Sequence, residues 1–174
     1  STALAGIALL AISTVPAEAA VVEFKNVSGT WYNVVGGSAT FSGDEVRWGV
    51  SQGQGRSGYN FIGTNIAPVS FSSPGSGVFT IGTFEHVNRP IDSGTSITGI
   101  SLAFSAEVWV DGYQVGNAPL TFNYNFSHDE TPNGDSPCAN GPANLPVNVN
   151  GCADRVTMNF NSNSEIFQIG GKQY

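Results

Sequence analysis

Apolar and polar residues alternate along two long segments of the chain. In residues 97–110 every second position from Ile100 onward is apolar, which predicts one buried strand face made of Ile100, Leu102, Phe104, Ala106, Val108 and Val110. Residues 119–128 repeat the pattern, with the inward set Leu120, Phe122, Tyr124 and Phe126. The pair Asp111-Gly112 between the two segments is typical of a tight hairpin turn. We therefore expect two antiparallel strands that bury these side chains next to one another.

Shorter apolar runs, separated by Gly, Asn, Ser and Pro, predict six further strands, and no window has a helical period. These strands are expected at residues 29–34, 45–49, 59–64, 78–84, 155–161 and 166–169. Eight or more short antiparallel strands at this spacing predict an all-β fold, an antiparallel β-sandwich, with the jelly roll as one compatible arrangement. The sequence has no repeat and no linker, so residues 21–174 are expected to form a single domain.

Composition agrees with strands and excludes one class of partner. The 174 residues include 22 Gly and 11 Phe, which suits strands and turns better than helices. The formal net charge is −7 and only six residues are basic, so the chain has too few cations to neutralise a phosphate backbone. We expect no nucleic-acid partner.

The first twenty residues, STALAGIALLAISTVPAEAA, differ from the rest of the chain. An apolar run at residues 3–12 is followed by Ala17-Glu18-Ala19, the small-residue pattern of a signal-peptidase site. The run is too short for a membrane span. The segment therefore predicts export, with cleavage after about residue 19. A short buried helix, or a strand lent to a neighbouring copy in a filament, remains an alternative for a retained segment.

Four blocks in fixed order carry a family resemblance: GVFTIGTFEHVNRPIDSGTSITGISL, FNYNFSHDETPNGDSPC, NGCADRVTMNF and SEIFQIGGKQY. With them, most of residues 29–174 resembles the exported bacterial choice-of-anchor K domain proteins, which overlap with the THxN group bearing a PEP-CTERM sorting tail. The motif reads Glu85-His86-Val87-Asn88 here, so the Thr is replaced. The resemblance implies a secreted or cell-surface location and no established activity. It also implies a further strand or two beyond Tyr174.

Catalytic patterns are weak in this sequence. The segment Gly49–Gly53 fits the G-x-S-x-G pattern, but a nucleophile elbow needs a helix after the serine, and a Gly-rich turn follows instead. His86 and His128 are the only histidines, and we expect them to satisfy backbone groups at strand ends. The sequence predicts no enzyme.

One irregular loop, residues 126–154, holds both cysteines and several oxygen ligands. In an exported chain Cys138 and Cys152 are expected to form a disulfide. Calcium binds six to eight oxygen ligands, and the candidate set for such a site is Asp129, Glu130, Asn133, Asp135 and Asp154. The alternative is that these Asp and Asn side chains cap turns. The residue pattern is compatible with a calcium site and with turn capping.

These observations favour an exported structural or adhesive module without catalytic activity. A carbohydrate-binding domain is the second hypothesis, in which Trp109, Tyr113 and Tyr32 would stack on sugar rings. The third is a filament subunit assembled by strand addition. The expected partners are therefore an extracellular polysaccharide or further copies of the chain.

Overall fold

A computed structural model describes residues 20–71, 80–142, 144–149, 151–159, 168–169 and 172–173. The predicted leader at residues 1–19 lies outside this set, as do parts of the strands predicted at 78–84, 155–161 and 166–169. The described residues form twelve strands, one turn of 3-10 helix at Pro146–Asn148 and no α-helix. The strands are β1 Ala20–Val35, β2 Ala39–Ser42, β3 Glu45–Trp48, β4 Ser57–Gly63, β5 Ile66–Phe71, β6 Gly82–Val87, β7 Gly99–Val110, β8 Tyr113–Gln114, β9 Leu120–Asp129, β10 Arg155–Asn159, β11 Gln168–Ile169 and β12 Lys172–Gln173.

Two antiparallel sheets face each other across a shared core. The larger sheet has the order β10-β9-β7-β1-β5, with β8 added to the end of β7, and the smaller one has the order β2-β3-β4-β6. Within the described part of the chain, β11 and β12 pair with each other. The predicted all-β antiparallel sandwich is confirmed.

The predicted pair of long strands is β7 and β9, which pair in register from Gly99↔Ser127 to Ala106↔Leu120. All six predicted inward residues of β7 are buried, as are Phe122 and Phe126 of β9. Leu120 and Tyr124 are only partly buried and pack against the core.

The predicted turn at Asp111-Gly112 is present, but it leads first into β8. Both residues have positive φ, 50° and 81°, as a tight two-residue hairpin turn requires. The short strand β8 pairs with Trp109 and Val110, and after residues 115–119 the chain continues as β9 along the same edge of β7. The sequence analysis therefore did not predict the short strand β8 between the two long strands.

Aromatic rings fill the space between the sheets. Phe61 of β4 packs edge-on against Phe104 of β7, with ring centroids 6.2 Å apart. Trp31 of β1 lies 5.4 Å from Tyr59 of β4. Because aromatic rings bury large areas and pack in specific geometries, these contacts fix how the two sheets meet.

Gly29 of β1 allows this close approach, since a Cβ atom there would lie 2.3 Å from Cδ1 of Phe61. We expect Gly29→Ala to lower the free energy of unfolding by about 1–3 kcal/mol, because the ring must shift in a packed core. Urea unfolding followed by tryptophan fluorescence measures this change. Gly134→Ala, where a Cβ meets nothing within 4 Å, is the matched control, and equal stability of the two variants would contradict the packing argument.

No helix among the described residues is long and apolar enough to cross a membrane. The G-x-S-x-G segment lies in the loop between the paired strands β3 and β4. Its Ser51 hydroxyl accepts hydrogen bonds from the backbone N–H groups of Gly53 and Gly55. The serine therefore stabilises a turn, as the sequence indicates.

Candidate functional site

The loop between β9 and β10 is closed by the predicted disulfide between Cys138 and Cys152. Both cysteines are buried. The backbone N–H of Cys152 donates to the carbonyl of Asn133, 3.1 Å away. The covalent bond and this hydrogen bond join the start of the loop to its end.

The five candidate calcium ligands of this loop differ in their exposure to solvent. Asp129 and Asp135 are exposed, whereas the side chain of Asp154 has no exposed surface. Glu130 is partly buried and points to His128. Within the described part of the chain, the acids of this loop form no group of three that could share an ion.

One group of potential metal ligands does form among the described residues, and it consists of His86, His128 and Asp154. Each residue offers one ligand atom, and these atoms all lie within 4.8 Å of one another. His86 is on β6 of the smaller sheet, His128 is on β9 of the larger sheet, and Asp154 directly precedes β10. Three separate parts of the chain therefore meet between the sheets.

Strand periodicity brings the two imidazoles inward. His128 lies two positions after the buried Phe126 on β9, so it continues the inward face of that strand. On β6, His86 is the register partner of the buried Tyr59. Both histidines therefore face the core. Extending the alternation of residues 119–126 by one step would have predicted this for His128.

Hydrogen bonds hold His128 on both ring nitrogens. Its Nδ1 lies 2.7 Å from the Tyr59 hydroxyl, and its Nε2 lies 3.2 Å from Oε2 of Glu130. The Ser96 hydroxyl donates to the same Glu130 oxygen. We call the set of Tyr59, His86, His128, Glu130 and Asp154 the buried polar cluster. Since Tyr59 and His128 belong to different sheets, their contact is a polar link across the core.

The disulfide loop holds Asp154 in place. Oδ1 of Asp154 accepts a hydrogen bond of 2.9 Å from the backbone N–H of Thr131. The carbonyl of Ala153 accepts from the Thr131 hydroxyl and from the Asn140 amide. The Ala153 N–H donates to Oδ1 of the buried Asn148. The Asp154 carboxylate is therefore held by Thr131, which precedes the disulfide loop. The adjacent Ala153 backbone is held by Asn140 and Asn148, which lie inside that loop.

Among the residues that the structure describes, three buried polar atoms in this region have no hydrogen-bond partner: Nε2 of His86, Oδ2 of Asp154 and Nε1 of Trp48. The first two lie 3.5 Å apart, yet no hydrogen bond joins them. The Trp48 ring packs against both imidazoles, with centroids 6.4 Å from His86 and 5.0 Å from His128. A buried polar atom left unpaired typically costs about 1–3 kcal/mol. The energetic cost of burying polar atoms without hydrogen bonds is therefore concentrated at this place between the two sheets.

Burial also shifts the ionisation of the cluster. The pKa of His86 is lowered to about 4, mainly by burial and also by the neighbouring His128, while Glu130 opposes the shift. Burial raises the pKa of Asp154 to about 6, against the hydrogen bond from Thr131. The pKa of Tyr59 is raised, again mainly by burial. At neutral pH the cluster thus presents a neutral His86 imidazole beside the Asp154 carboxylate, so the two do not form an ion pair.

A groove of about 760 Å³ runs beside the cluster, lined by residues 90–94, 96–98 and 128–134 together with Gly36, Gly37 and Gln52. Of the buried polar cluster, only His128 and Glu130 line this groove. His86 and Asp154 are not among the residues that line it. A molecule in the groove would therefore not reach the pair of unpaired atoms directly.

The three candidate sugar-stacking residues do not form one platform. Trp109 carries the Lys25 ammonium over its ring, 4.3 Å from the centroid. Tyr32 lies opposite Ser101, whereas Tyr113 lies opposite Val110, nine residues away along β7, which is about 30 Å in a strand. The structure therefore separates Tyr32 from Tyr113.

A scan against models of protein families and a search of curated proteins both returned no match.

Proposed function

We propose that the chain is an exported structural or adhesive module of the bacterial cell exterior that carries no catalytic activity. The observation that carries the proposal is where the reactive side chains lie. His128 and Asp154 have no exposed side-chain surface, and their cluster lies between the two sheets. A catalytic acid or base must come within hydrogen-bond reach of its substrate, and both ring nitrogens of His128 are already engaged by Tyr59 and Glu130.

Three further features support this proposal. The disulfide favours an oxidising compartment and closes the longest irregular loop of the described chain. The segment before β1 has the pattern of a secretory leader. The resemblance to choice-of-anchor K proteins implies the same location. Together these features support the proposal of a disulfide-closed module that acts outside the cell.

Surface labelling of intact cells tests the location. We expect an epitope tag inserted after Gly116, in the exposed turn between β8 and β9, to bind its antibody on intact cells of the source bacterium. A cytoplasmic protein with the same tag is the control and should bind antibody only after lysis. Labelling of the tagged chain only after lysis would overturn the proposed location.

Glycan binding separates the structural module from a carbohydrate-binding domain. Because Lys25 covers Trp109 and the two tyrosines are far apart, we expect the purified, oxidised chain to give no specific signal on a glycan array. A specific signal that is lost in Trp109→Ala but kept in Tyr113→Ala would establish the carbohydrate-binding alternative and reject the structural one.

A further inference from the structure

We propose that His86, His128 and Asp154 bind a divalent transition-metal ion of the Zn²⁺ type, and that this ion joins the two sheets to the disulfide-closed loop. The inference goes beyond the structural role proposed above. It also differs from the calcium site predicted from the loop acids, since two of its three ligands are histidines outside that set.

The spacing of the ligand atoms fits one small ion. At Zn–N and Zn–O bonds of about 2.0–2.1 Å, two ligand atoms of a tetrahedral site lie about 3.3 Å apart. Nε2 of His86 and Oδ2 of Asp154 are 3.5 Å apart. The ligand atom of His128 lies within 4.8 Å of both, so a small side-chain movement completes the set.

The choice of donors selects the class of ion. Two imidazole nitrogens and one carboxylate suit zinc, iron, cobalt, nickel or copper. Calcium instead takes six to eight oxygen ligands, and this cluster offers at most a few. We therefore expect the site to discriminate strongly between Zn²⁺ and Ca²⁺.

The unpaired atoms are an independent indication of a missing ligand. The side chain of Asp154 is fully buried, and its Oδ2 has no partner although it points at His86 Nε2, which also has none. A hydrogen bond between them is absent. An ion bound by both atoms would satisfy both at once.

The surrounding hydrogen bonds are those that a metal ligand needs. A metal-binding histidine usually holds its second nitrogen against an oxygen partner. His128 has such a partner on each side, the Tyr59 hydroxyl at Nδ1 and the Glu130 carboxylate at Nε2. Whichever nitrogen turns to the ion, the other keeps a partner. Oδ1 of Asp154 is likewise held by Thr131.

The expected role of the ion is structural. His128 and Asp154 have no exposed side-chain surface and His86 has 19%, so the site is closed around its ligands. A structural zinc site has four protein ligands, whereas a catalytic site has three and keeps the fourth position open. Glu130, whose Oε2 lies 3.2 Å from Nε2 of His128, offers the fourth protein ligand that a structural site needs.

Metal titration of the purified, oxidised and EDTA-treated chain tests the proposal. We expect calorimetry to find one Zn²⁺ per chain, and Co²⁺ to produce visible d–d absorption bands. The thermal midpoint should rise by about 5–10 °C at a zinc concentration near 100 times the dissociation constant. Millimolar Ca²⁺ should leave the midpoint unchanged.

Two variants locate the site. His86→Ala and Asp154→Asn are each expected to weaken Zn²⁺ binding by about 100-fold or more, because a direct ligand is worth at least as much as an outer-shell partner. The control is Asp129→Asn combined with Asp135→Asn, which removes two exposed acids of the same loop and should leave zinc affinity within about twofold.

His86→Ala carries the smaller risk of unfolding, because the His86 side chain is partly exposed. Far-UV circular dichroism checks the fold of each variant. Failure of the wild-type chain to bind Zn²⁺ and Co²⁺ would overturn the proposal, as would binding that survives His86→Ala but is lost in the Asp129 and Asp135 control. Either result leaves the cell-surface labelling experiment unaffected, so the two proposals fail separately.

Discussion

Phe104→Ala is expected to lower the free energy of unfolding by about 3–5 kcal/mol, the usual cost of removing a buried aromatic ring. Phe104 is 2% exposed and lies at the centre of β7. Its ring packs on Phe61 of the opposite sheet and on Phe122 of the neighbouring strand. Its register partner on β1 is Gly29, which has no side chain to fill a cavity. The space left by the ring can therefore close only poorly.

Chemical unfolding in urea, with the slope of the transition compared between variants, measures this loss. Ser105→Ala is a suitable control, since it is the next residue of β7 and points to the outer face of the sheet, where it is partly exposed. The control should change stability by less than about 0.5 kcal/mol. A loss below about 1 kcal/mol in Phe104→Ala would contradict the described contact between the sheets.

The sequence predicted β7 and β9 well because period-two alternation is a local property. It predicted no strand at β5. This segment contains Pro68, and a proline in an apolar run argues against a central strand. The observed strand lies at the edge of its sheet, where proline is tolerated. The first part of β1 was also missed, because Ala20–Ser28 adjoins the predicted leader.

The buried polar cluster was harder to predict because its members are distant in sequence. Asp154 was named as a metal ligand, but only together with acids of its own loop. The pairing of Tyr59 with His86 depends on the register of β4 and β6, and the approach of His128 depends on how the two sheets pack. Neither can be obtained from spacing along the chain. Local pattern predicts which face a histidine occupies, whereas its partners depend on tertiary structure.

Replacing both cysteines, in Cys138→Ala with Cys152→Ala, is expected to lower the free energy of unfolding by about 3 kcal/mol. The bond joins residues separated by 14 positions, and the expected loss follows from the greater freedom of the unfolded chain without that closure. Loss of two buried side chains acts in the same direction. Urea unfolding of the double variant and of the wild-type chain, both without reductant, measures the difference.

The same variant tests how the loop is connected to the cluster. Asp154 follows Cys152 by two residues, and the bonds of Thr131, Asn140 and Ala153 hold the segment between them. The N–H groups of residue 152 and Ala153 donate to Asn133 and Asn148, so their hydrogen exchange should accelerate in the variant, while the central part of β7 changes only by the global loss of stability. Asn140→Ala keeps the disulfide but removes one hydrogen bond to the Ala153 carbonyl, so it should show a smaller acceleration at the same positions. Unchanged exchange at these two amides in the double variant would mean that the hydrogen bonds alone hold the segment before Asp154 in place.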